Sequence, residues 1–161
     1  MTKQLWRLFA QGAISGQSQI IASVEMPQRA DAATMDAWNA LADQVAAVLR
    51  GAGLPVIRCG DDIGVTVSDG SGAVVEVDSI ADSAGGVFVF WQVPDELALP
   101  SHAALLAGRL DDPAITHFGR TMSIMIDAVT RLLIESNFAV EDAARVNDLR
   151  ALQIHVRPGD L

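Results

Sequence analysis

The stretch LPVIRCGDDIGVTVSDGSGAVVEVDSIADSAGGVFVFWQV, residues 54–93, decides the fold. It reads as three or four short strands: Leu54–Cys59, Ile63–Ser68, Ala73–Asp78 and Val87–Val93. Ile63, Val65 and Val67 alternate with Gly64, Thr66 and Ser68, the period of a half-buried strand. Asp69-Gly70-Ser71-Gly72 supplies a turn, since aspartate bonds its own backbone and glycine tolerates positive φ. Val87–Val93 is apolar at both parities. It is expected either as a central strand covered on both faces or as a surface that meets a partner.

A helix precedes this block. Asp31 is placed to cap it, and Met35, Trp38, Leu41, Ala42, Val45, Val48 and Leu49 recur at three- and four-residue spacing as one apolar stripe. Gly51, Gly53 and Pro55 stop it. Residues 4–26 read as a helix followed by a strand or as a hairpin. The hairpin is preferred, turning at 15–18, because Ile20, Ala22, Val24 and Met26 alternate with Ile21, Ser23 and Glu25.

Downstream, Pro100 and Ser101 are expected to open a short helix through Ala103–Leu110. Asp111-Asp112-Pro113 marks a second helix start, a carboxylate cap followed by proline in the first turn. Phe118, Met122, Met125, Ile126, Val129, Leu132 and Leu133 give that helix a wide apolar face, ending near Asn137. Glu141–Leu149 is expected as another short helix and Leu152–Val156 as a closing strand. Strands grouped between helices predict a single α+β domain over 1–161. Its antiparallel sheet of about four to six strands packs against two longer helices.

Composition narrows function. Half of the 161 residues are hydrophobic, only 19% are charged, and the formal net charge is −9. Such a balance repels nucleic-acid phosphates and anionic lipid, and favours a basic protein partner. The apolar surplus points to a surface hidden by self-association or by that partner. No stretch has the ~18 apolar residues of a membrane span, and the N-terminus lacks the apolar run of a signal peptide. A cytoplasmic protein is expected.

Motifs for chemistry are scarce. His102, His117 and His155 have no ligand at metal spacing. The sole lysine, Lys3, excludes a Walker-type loop. Cys59 lacks a neighbouring histidine in sequence; a grouping with His117 and Asp111 would need the fold to assemble it. No cofactor is expected, and the balance leans away from an enzyme. Paired carboxylates such as Asp61-Asp62 and Asp111-Asp112 read first as turn and cap chemistry. The sharper reading is that Asp61, Asp62, Asp78 and Asp82 crowd one rim of the sheet and attract a basic partner. Phe88, Phe90 and Trp91, or Met122 and Met125 on the long helix, would then dock it.

The expected function is therefore a non-enzymatic partner-binding protein of bacterial type: an immunity protein, a secretion chaperone or an adaptor. In the order of its elements alone, a helix, an antiparallel meander and a long helix, the chain resembles type III secretion chaperones. No residue motif carries that likeness. Two alternatives stand beside it. One is a homodimer formed through the long helix or an edge strand. The other is a small-molecule or enzymatic domain with a pocket between the sheet and the helix at 115–136, where His117, Arg120 and Asp127 would be the polar groups.

Overall fold

Asp31 caps the first helix as its position suggests: its carboxylate accepts from the Thr34 backbone N–H at 2.7 Å. This is the first element of the computed structural model, which describes residues 28–59, 70–81, 85–143 and 153–159. Helix α1 spans Ala32–Gly51 and turns Leu41, Ala42, Val45, Ala46 and Leu49 inward. Gly53 then takes φ +83, a conformation that releases the chain into β1, Val56–Arg58. Arg58 ties this strand back to α1, bonding Asn39 at 2.7 Å and Asp43 at 3.2 Å.

Two seven-residue strands follow, β2 Gly72–Asp78 and β3 Gly86–Gln92. Helix α2 runs Asp95–Leu106 and helix α3 Pro113–Glu135. Strands β4 Phe138–Asp142 and β5 Gln153–Pro158 complete a five-stranded sheet in the order β1-β2-β3-β5-β4. The molecule is thus α+β, with a mostly antiparallel mixed sheet. The apolar strand β3 occupies the centre, as its two-sided pattern predicts.

Alternation sorts the sheet into two faces. Ala73, Val75, Val77, Val87, Val89, Trp91, Ile154 and Val156 form one core with Val45 and Leu49 of α1 and Val129 and Leu133 of α3. Val74 and Phe88 lie at the opposite parity and are also fully buried. Burying a side chain of that size is worth about 1.5–3 kcal/mol, so both parities of the central strands stabilise the fold.

Four expectations differ from the structure or fall outside the described residues. First, β1 and β2 are parallel, with Val56 opposite Ala73, so the meander does not begin at β1. The strand expected at Ile63–Ser68 lies outside the described residues, as does the hairpin at 4–26.

Second, the helix expected from Pro100 instead starts at Asp95, with Pro100 inside it. Pro94 supplies the start: its carbonyl accepts from Leu97 and Ala98. Asp95 and Glu96 suit the positive end of the helix dipole. Proline at 100 frees only the carbonyl of Glu96, which is exposed and can turn to water.

Third, of the helix expected at Glu141–Leu149, Glu141 and Asp142 belong to β4 instead, because Phe138–Asp142 pairs with β5, Val140 opposite Val156, and residues 144–149 lie outside the described residues. Pairing with a formed edge outweighs local propensity. Fourth, the closing strand is two residues longer than expected at its end. The cap at Asp112 and the stop at Asn137 stand: Asp112 accepts from Ala114 N–H at 2.9 Å, and Asn137 turns left-handed at φ +63.

Candidate functional site

The register places four side chains in one row across the sheet, on the face away from the helices: Glu76, Phe88, His155 and Glu141. The His155 ring stacks on Phe88, centroids 4.8 Å apart at 22°. Its Nδ1 lies 3.0 Å from Glu141 Oε1, which also takes Arg157 Nη2 at 3.2 Å. A carboxylate against Nδ1 assigns the ring proton to that atom. The other nitrogen sits beside Gly86, where a β-carbon would lie 2.5 Å from Nε2. A histidine base needs a nitrogen within hydrogen-bond reach of its substrate. Here Nδ1 is bonded to Glu141 and Nε2 neighbours Gly86. The arrangement clamps β3, β5 and β4 together, and Gly86 is the residue that leaves room for the ring.

Cys59 lies at the end of β1, its N–H donating to the Val75 carbonyl at 3.0 Å. It is three strand spacings from β5, about 14 Å. That is too far for His155 to take its proton. Burial pushes the thiol pKa up, and the nearby Glu76 charge adds to it. Cys59 is therefore held as the protonated thiol, not the thiolate a nucleophile needs. Among the described residues no group of three His, Cys, Asp or Glu side chains could hold a metal ion.

The residues singled out in the sequence do not form one surface. Asp61, Asp62 and Asp82 lie outside the described residues. Asp78, Phe88 and Phe90 share the sheet face away from the helices. Asp78 accepts from the Ile80 N–H at 3.1 Å, closing a turn. Trp91 is on the other face, in the core, with Met122 and Met125 packed against the same cluster. His117, Arg120 and Asp127 share one face of α3, but all three are exposed. A groove of about 490 Å³ does run along α3. Its described lining is Ile124, Asp127, Ala128, Arg131, Leu132 and Glu135, so of those three polar groups only Asp127 borders it.

A different surface emerges from burial. The large apolar side chains that stand exposed among the described residues are Leu99, Leu105, Leu106, Leu110, Ile124 and Ile134. All lie on α2, on the turn after it, or on α3. Helix α2 buries Ser101 and Ala104 and rests on α3, where His102 meets Phe118 at 5.9 Å. Leu99 and Leu106, seven residues and two turns apart, point the opposite way, with Ala103 between them. They are 60% and 91% exposed. Asp95 and Glu96 lie one turn before this stripe, and Asp111 and Asp112 follow Leu110, itself 74% exposed. The result is an apolar strip that starts at two carboxylates and ends in mixed charge, since Arg109 pairs with Asp112 at 3.1 Å.

Periodicity does not reveal this strip, because α2 is apolar on every side and spacing cannot say which leucines face out. The available signal is that very lack of a polar face in a helix of 12 residues. Among the described residues no helix is long and apolar enough to cross a membrane. No protein-family model matches the chain, and no match was found among curated proteins or solved structures.

Proposed function

We propose that the protein acts by binding another protein, without chemistry of its own, in the manner of an immunity protein, a secretion chaperone or an adaptor. The observation that supports this reading is the outward strip Leu99–Ala103–Leu106 with Leu110 beside it. Exposed apolar side chains gathered on one element are characteristic of docking sites. Asp95 and Glu96 at the start of the strip, with the overall negative charge, favour an amphipathic segment with apolar residues at its centre and arginine or lysine beside them. The net charge of −9 steers such a segment toward the surface. The buried, protonated Cys59 thiol is in keeping with a protein that holds rather than converts.

Site-specific photo-crosslinking tests it. A photoreactive amino acid replaces Leu106 in the full chain, and in a control it replaces Gln44, exposed on the outer side of α1. The expected result in source cells is a discrete adduct with one basic partner from position 106 and none from position 44. No adduct at 106, or the same adducts from both positions, would overturn the reading.

A further inference from the structure

Helix α2, with 12 residues, is about 18 Å long, whereas α3, with 23, is about 34 Å. The His102–Phe118 contact sets α2 alongside the first half of α3. The outer side of the second half lies beyond the reach of α2. An ordered stripe runs the length of α3 and its second half is clear of α2. His117, Arg120, Ile124, Asp127, Arg131 and Ile134 are all exposed and recur at spacings of three, four, three, four and three. That is the seam spacing of paired helices. Ile124 is 65% exposed and Ile134 51%. Among the described residues neither Asp127 nor Arg131 forms an ion pair.

We propose that this stripe pairs with the same stripe of a second copy of the chain, antiparallel, about a two-fold axis level with Val129. The axis follows from the sequence. Residues whose numbers are equidistant from 129 meet across it. Asp127 of each copy then faces Arg131 of the other, and Ile124 of each faces Ile134 of the other. Both layers are complementary, one by charge and one by apolar contact. Parallel pairing would set Asp127 against Asp127 and Arg131 against Arg131, which disfavours it. Ala128, exposed beside the axis, lets the backbones approach. An isologous contact of this kind closes as a dimer. A contact of one helix stripe per copy belongs with weak interfaces, so dissociation in the micromolar range is expected. The stripe is separate from the α2 leucines, and the pairing stands without them.

Sedimentation of the full chain across concentration tests the pairing. The expected result is a monomer–dimer equilibrium. D127R and R131D, both at exposed positions, each weaken it at least about tenfold by setting like charges together. Carrying both changes on one chain restores opposite charges in both layers and returns the affinity to within about threefold of the parent. Circular dichroism confirms the helix content of each variant. Orientation is read from cysteines in a Cys59→Ser background. Under mild oxidation I124C mixed with I134C links rapidly, and neither links to itself at that rate. A protein that stays monomeric to about 0.5 mM, far above the range expected for such a contact, would overturn the proposal. So would a double swap as weak as the single ones, or I124C linking fastest to itself.

Discussion

Helices α1 and α2 are both rich in alanine and leucine, yet they are used in opposite ways. In α1 the apolar residues return every three or four positions, and Leu41, Ala42, Val45, Ala46 and Leu49 are all buried. In α2 they stand on all sides, and only Ser101 and Ala104 are buried while Leu99 and Leu106 meet solvent. The contrast teaches that apolar content alone does not place a residue inside. Spacing decides, because a helix can bury only the stripe that faces a neighbour. Leucine beyond that stripe adds nothing to the core.

The largest effect expected from this contrast is at Leu49. It is fully buried between α1 and the sheet, so Leu49→Ala costs about 2–5 kcal/mol in urea unfolding. A cost under about 1 kcal/mol would mean that α1 is packed as loosely as α2.

Next is Pro100. If α2 is a peripheral layer resting on α3, its amides exchange faster than those of α1 through local opening. Pro100→Ala restores a backbone donor for the Glu96 carbonyl and favours the helix. Exchange in α2 should slow by about tenfold, equivalent to about 1.4 kcal/mol, with α1 unchanged. An equal change in both helices would show that they open as one unit.

A smaller effect separates the helices by their caps. The Thr34 N–H holds the Asp31 carboxyl below its ordinary pKa, and the Ala114 N–H does the same for Asp112. A carboxylate whose folded pKa lies below its unfolded value of 3.8 stabilises fully above that value. The contribution is lost as pH falls through the lower folded pKa. Helix α2 starts at Pro94, which offers no side-chain cap. Acidification below about pH 4, near the ordinary aspartate pKa, should therefore lower the melting temperature in wild type. D31N/D112N should show a flatter acid limb. Identical limbs would remove these caps from the account.

Much of the fold is legible in the residues themselves. The stripe from Met35 to Leu49, the cap at Asp31, the Asp112-Pro113 start and the two-sided apolar run of β3 are local signals that the tertiary fold does not contradict. What is not legible depends on neighbours. The parallel pairing of β1 with β2 is a matter of topology, invisible in the alternation of either strand. Glu141 and Asp142 carry helical propensity but lie in β4 because β5 offers an edge. Pro100 reads as a start, although its position lets water receive the one carbonyl it frees.

The candidate site is less legible still. Trp91, Met122 and Met125 read as docking residues because they are large and adaptable, and those same properties suit them to the core they join. The outward leucines carry no periodic mark. Phe88 is readable as aromatic and central, but its stacking on His155 arises only from the register between β3 and β5.

Leu99 and Leu106, 60% and 91% exposed, do not hold the fold. Thermal unfolding of L99S/L106S tests this most directly. The expected melting temperature is within about 2 °C of wild type, since exposed substitutions usually change stability by no more than about 0.5 kcal/mol. A fall as large as that of Leu49→Ala would contradict it and would return these leucines to the core.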